Sequence, residues 1–167
     1  MNVHVFGSSP AKPSDAPPWT IGWKEYLRFP DWRLGPIKAK IDTGARTSAL
    51  GIVNYELHRS NGTLMATLHL ALNRLKPQKI TVVQTPILRM VVVSNSGGIR
   101  EERPLIETTI SLGPVCKLVQ FTVANRSSMR FAMILGRKAL EKDFVVDVSR
   151  KYIWGKKDGA RRQDGSR

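Results

Sequence analysis

Apolar and polar residues alternate along most of this chain, and helical spacing is nearly absent. The run Pro36-Ile37-Lys38-Ala39-Lys40-Ile41 places Ile37, Ala39 and Ile41 on one side and lysines on the other, as a half-buried strand does. LMATLHL (64–70) sets Leu64, Ala66, Leu68 and Leu70 against Met65, Thr67 and His69. KITVVQT (79–85) and ILRMVVV (87–93) are β-branched runs parted near Pro86. The cluster Ser94-Asn95-Ser96-Gly97-Gly98 reads as a turn, after which the chain resumes through Pro104 into LIETTISL (105–112) and then VCKLVQFTV (115–123). FAMIL (131–135) is continuously apolar and reads as a strand covered on both faces. A single short helix is expected at 137–142, and FVVDV (144–148) with KYIW (151–154) suggests a closing hairpin across Ser149-Arg150. The expected fold is mainly β with one short helix near the end, its sheet closed or packed to protect its edges.

At 167 residues the chain suits one domain with a real core. Residues 1–18 are rich in Pro, Ser and Ala and read as a flexible arm; 156–167 read as a basic disordered tail; the folded domain is expected at 19–155. With 41% hydrophobic and 24% charged residues, the middle is globular rather than disordered. The formal net charge is +14, and setting aside the tail's net +3 still leaves +11. Such an excess points to a polyanionic partner: an acidic substrate, nucleic acid, the ribosome or an anionic membrane surface. No membrane span and no signal peptide are read, and one cysteine, Cys116, excludes an internal disulfide and suits a reducing, cytoplasmic setting. Its neighbours Val115 and Leu118 suggest that the thiol is buried.

Candidate chemistry begins at Asp42-Thr43-Gly44, where a strand delivers a carboxylate to a turn. Gly44 would permit a backbone conformation closed to other residues, and the Thr43 hydroxyl could tie the turn down. About ninety residues later Ile134-Leu135-Gly136-Arg137 repeats the pattern of an apolar strand ending in Gly, followed by a helix. The histidines His4, His58 and His69 fit no paired metal-ligand spacing, and no phosphate-binding glycine loop is present, so neither a metal nor a cofactor is expected. Asp147 reads as a turn residue or a partner of Arg150, and Trp19, Trp23 and Trp32 as packing residues, with a base-stacking platform as the alternative.

Strand, Asp42-Thr43-Gly44-Ala45, hairpins, then Ile134-Leu135-Gly136-Arg137 and a helix resembles the retropepsin-like aspartic proteases. Longer stretches, IGWKEYLRFPD (21–31), IKAKIDTGARTSAL (37–50), IREERPLIETTISLG (99–113) and NRSSMRFAMILGRKALEKDFVVDVSRKY (125–152), are similar to the small bacterial RimB family, also called "ATP-dependent zinc protease" and linked to ATP-grasp glutamate ligases. The resemblance implies a retropepsin-like closed β-barrel with a flap hairpin. It also implies an aspartic peptidase trimming glutamate tails from acidic peptides or glutamylated proteins. Two carboxylates must divide the roles of base and acid, so a homodimer is expected, with Asp42 of each copy across a two-fold axis and Thr43 bonded across it. Ser94, Asn95, Gly97 and Gly98 would form the tip of a flap closing over substrate, and Arg46 and Arg137 would bind it.

Two departures stand out. Where the retroviral pattern has an acidic residue four positions after the catalytic Asp, this chain has Arg46; Arg137 must therefore pair with Glu101, Glu102 or Glu107, or else present its charge to the cleft. The family pattern has a His after the TSAL string, where this chain has Gly51. Competing readings are a non-catalytic basic barrel that binds acidic peptide, ribosome or RNA, and an inactive relative that binds peptides without cutting them.

Overall fold

The computed structural model describes residues 15–73 and 75–155. Twelve strands, one short α-helix and a single 3-10 turn at Pro30–Trp32 are found among them. In chain order these are β1 (Trp19–Gly22), β2 (Lys24–Phe29), β3 (Leu34–Ile41), β4 (Ser48–Ile52), β5 (Asn54–Ser60), β6 (Thr63–Leu70), β7 (Thr81–Pro86), β8 (Arg89–Ser94), β9 (Arg100–Leu112), β10 (Val115–Asn125), β11 (Met133–Leu135), α1 (Arg137–Leu140) and β12 (Phe144–Asp147). The terminal arm through residue 14 and the basic tail 156–167 lie outside the described residues.

The main sheet runs β10-β4-β11-β3-β2-β9, and pairing of β9 with β10 closes it into a six-stranded barrel, as expected of a retropepsin-like chain. Closure follows from the alternation: Leu27 and Phe29 of β2, Ile37, Ala39 and Ile41 of β3, and Ile106, Ile110 and Leu112 of β9 all point inward and are buried. β4 is buried at every position, and Met133 and Leu135 of β11 are fully buried between β4 and β3. A second sheet, β5-β6-β7, buries Ala66, Leu68, Leu70 and Val83 in the same core. β8 extends β9 beyond the barrel as a hairpin whose tip carries the Ser94–Gly98 turn.

The chain's last segment differs from the expected hairpin. β12 pairs in parallel with β1, Trp19 opposite Phe144 and Gly22 opposite Asp147, and residues 151–154 form no strand. The cause is Glu25, whose side chain is fully buried on β2. Its Oε1 accepts the Gly22 N–H (2.8 Å) and the Ile153 N–H (2.9 Å), and Oε2 accepts the Trp154 N–H (3.4 Å). Tyr152 N–H donates to the Lys24 carbonyl, and Trp23 N–H to the Arg150 carbonyl. The amides that a hairpin would pair with β12 are thus drawn across the β1–β2 junction instead. Asp147 does act at a turn: its Oδ1 accepts from Ser149 N–H and Oγ–H, which holds its carboxyl below the usual range.

Cys116 is exposed, not buried. On β10 the inward positions are Val119 and Phe121, so Cys116 and Leu118 fall on the outward face. Partial desolvation, then the nearby Asp31 charge, push the thiol pKa up, which disfavours the reactive thiolate. No described helix is long and apolar enough to cross a membrane.

Candidate active site

β3 and β11 run parallel at their C-terminal ends, Lys40 opposite Ile134 and Ile41 opposite Leu135. One residue later, Asp42 N–H donates to the Leu135 carbonyl (2.8 Å), which extends the ladder to Asp42 itself. The chain then turns, with Ala45 N–H on the Asp42 carbonyl (3.3 Å). The Asp42 carboxylate is oriented by its own turn: Oδ1 accepts the N–H of Gly44 (3.1 Å) and of Ala45 (3.2 Å). No hydrogen bond engages Oδ2 among the described residues, and Asp42 is half-buried while Thr43 and Gly44 are exposed. Gly44 is not in the left-handed region; a Cβ there would stand 3.3 Å from Asp42 Oδ1, so the glycine serves the carboxylate's close approach rather than an unusual φ.

The turn is clamped from behind by the second motif. The first N–H groups of a helix lack partners within it. Here Gly136 N–H donates to Ser48 Oγ (3.0 Å), Arg137 N–H to the Ala45 carbonyl (2.8 Å) and Lys138 N–H to the Arg46 carbonyl (3.1 Å). The Arg137 guanidinium reaches over the same turn, its Nη1 donating to the carbonyls of Thr43 (3.1 Å) and Gly44 (3.0 Å). It therefore pairs with no glutamate: Glu101 is held by Arg103 and Glu107 by Gln120. Gly136 is needed for this approach, because a Cβ would lie 2.8 Å from the Thr47 carbonyl and 2.9 Å from that of Ala45. Gly136→Ala is expected to lose about 1–3 kcal/mol, both neighbours being backbone that cannot rotate away; denaturant unfolding checks this.

The structure thus brings Asp42, Thr43, Gly44, Arg46 and Arg137 into one cluster. Arg46 is exposed and has no ion-pair or side-chain hydrogen-bond partner among the described residues. Ser94, Asn95, Gly97 and Gly98 form a separate exposed unit. Asn95 Oδ1 accepts the N–H of Gly97 and of Ile99 (both 2.9 Å), so that side chain shapes the tip, and Gly98 takes a φ of +80°. Sequence reasoning misses Ser48; its signal is a hydroxyl at the start of a fully apolar strand, where burial demands a partner.

Position 51 has no room for a side chain. Gly51 N–H donates to the Ala132 carbonyl (2.6 Å), and a Cβ would meet that oxygen at 2.6 Å. Among the described residues no zinc site fits either. His69 Nε2 stands 3.8 Å from Glu56 Oε1, whereas His58 sits opposite Met65 on β5, and the described residues contain no group of three ligands.

A family model described as "Retropepsin-like aspartic endopeptidase RimB" matches residues 20–157. A protein of Desulfotalea psychrophila named "Probable alpha-L-glutamate ligase" is 30% identical over 135 residues, 81% of this chain but 29% of its own length. One of Shewanella pealeana with the same name is 31% identical over 137 residues, 82% of this chain and 30% of its own. The chain therefore spans under a third of the curated relatives it matches. A crystal structure of a Legionella pneumophila protein of unknown function has a TM-score of 0.66 at 22% identity, over 80% of this chain and 95% of that one, and shares the fold.

Proposed function

The chain belongs to the RimB-like family of retropepsin-like aspartic endopeptidases, and from that premise we propose that it hydrolyses peptide bonds with a water held between Asp42 and the Asp42 of a second copy. The observation that carries this reading is the Asp42 turn. It is held by Leu135 and Arg137 from behind, with Ser48 fixing the adjacent Gly136, yet it leaves Oδ2 without a protein partner among the described residues and Thr43 exposed. Among the described residues no second carboxylate bonds to Asp42, so one copy supplies half of a dyad. Across a two-fold axis the two carboxylates share one proton. The ionised one takes a proton from water as it attacks the carbonyl carbon, and the protonated one gives its proton to the leaving nitrogen. The Ser94–Gly98 tips of both copies close over the peptide and exclude water.

The substrate in this reading is an acidic, glutamate-rich tail. Its supports are the core charge of +11, the unpaired guanidinium of Arg46 four residues after Asp42, and relatives whose longer chains are named as glutamate ligases. A cytoplasmic setting belongs to the same reading and rests on the unpaired Cys116. The test is release of glutamate or shorter peptides from a glutamate-tailed peptide, beside a glutamine-tailed control. Arg46→Glu is expected to raise KM for the acidic peptide by about tenfold with kcat nearly unchanged, the pattern of weakened ground-state binding.

Gly51 favours a second reading, in which the barrel holds acidic peptides without cutting them. Binding of the tail with no product from the wild-type chain would select it.

A further inference from the structure

We propose that the outer face of β2 and β3, with the adjoining Arg130 and Tyr152, binds single-stranded nucleic acid. Lys24 and Tyr26 point outward from β2, directly opposite Lys40 and Lys38 of β3. The acid between them in sequence, Glu25, points the other way and is fully buried. Arg130 and Lys151 add two exposed charges beside Lys24, and Lys24, Lys38, Arg130 and Lys151 have no carboxylate partner among the described residues. Like charges placed opposite one another on a sheet destabilise it. Desolvation, then Lys151, Arg130 and Lys38, hold the Lys24 ammonium below its usual pKa range, and an arriving polyanion would offset the part due to those three cations.

Charge alone would suit any polyanion, but this face is also aromatic. Tyr26 and Tyr152 stack at 4.7 Å between ring centroids, and Trp23 packs edge-on against Phe131 at 6.4 Å. The Lys24 Nζ lies 4.2 Å from the Trp23 ring centre and 5.5 Å from that of Tyr152. All four rings are half-buried, each keeping part of its surface open. Cations interleaved with rings on an open sheet face are what a single strand needs, phosphates meeting the cations and bases the rings. A glutamate tail would meet the cations and gain nothing from the rings. A second copy of this face would set cation against cation.

The test is fluorescence anisotropy of labelled oligouridylate and oligothymidylate with the full chain over a range of salt. Expected is binding that weakens steeply with salt. The triple variant Lys24→Ala, Lys38→Ala, Lys151→Ala should bind about tenfold or more weakly. Its salt slope should be shallower by about 0.7 for each phosphate no longer neutralised. Tyr152→Leu should weaken binding with the slope unchanged. Lys76→Ala with Lys79→Ala, a lysine pair away from this face, should leave both unchanged, as should Asp42→Asn. Equal binding of the two oligonucleotides means the strand is read without its 2′-hydroxyl; preference for uridylate identifies RNA. Absence of binding, equal weakening in the Lys76/Lys79 variant, or weakening only on replacing Arg161 and Arg162 of the tail would overturn the proposal. So would displacement of the oligonucleotide by polyglutamate at equal charge concentration, which would make the face a general acidic-peptide surface.

Discussion

Asp42→Asn is expected to lower peptide hydrolysis by about 10³-fold or more while leaving the fold in place. The asparagine carbonyl can still accept the Gly44 and Ala45 N–H bonds that orient the native carboxylate, and its backbone can still bond Leu135. The turn, its Arg137 clamp and the Ser48 bridge are therefore kept, and stability should change by less than about 0.5 kcal/mol. What disappears is a group able to take and return a proton, a role worth roughly 10²–10⁴-fold in general acid–base catalysis. Both copies of a pair lose it together. Turnover of the glutamate-tailed peptide, beside a thermal melt, reads both halves of this expectation. Asp42→Ala would be less informative, because it also strips two amides of their acceptor.

Glu25→Ala should be the most damaging change to the fold. It leaves the amides of Gly22, Ile153 and Trp154 facing a buried gap, each worth about 1–3 kcal/mol when unsatisfied, and a net loss of about 3–5 kcal/mol is expected. The last segment would come away from the β1–β2 junction, taking with it the Trp154 ring that packs against Trp19. Glu25→Gln should be much milder, since its carbonyl oxygen can replace Oε1 and keep the two shorter bonds. The pH dependence has a defined sign. Burial, opposed by the three amide bonds and by Arg150, raises the folded-state pKa above the usual glutamate value. Glu25 thus contributes stability that is full below that usual value and is lost as pH rises through the folded pKa, a slope that Glu25→Gln should flatten. Denaturant midpoints across pH for the three chains check both points.

The barrel was largely legible because its strands alternate cleanly. Ile37, Ala39 and Ile41 of β3, and Ala66, Leu68 and Leu70 of β6, are buried in register with the pattern. That a strand delivers Asp42 to a turn was legible from the alternation of β3 and the glycine after it, whereas the unusual backbone conformation expected of Gly44 was not found. Less legible was whatever depended on a distant partner. Nothing within residues 144–154 shows that their amides will be claimed by Glu25, more than a hundred residues earlier. Arg137 reads as a charge that either finds a carboxylate or faces the cleft, whereas the fold offers it the carbonyls of Thr43 and Gly44. Cys116 misled because its neighbours in sequence lie alternately on both faces of β10, so their apolarity says little about its own.

The central claim is that one copy holds half of a catalytic dyad, and activity as a function of assembly tests it most directly. Specific activity on the glutamate-tailed peptide would be measured over a dilution series with sedimentation in parallel, then in mixtures of wild type with Asp42→Asn. The account predicts that activity falls as the dimer dissociates. It also predicts that an equal mixture with random pairing retains only about a quarter of its pairs with both carboxylates. A fully active species that sediments as a monomer, with activity simply proportional to the wild-type fraction, would contradict it.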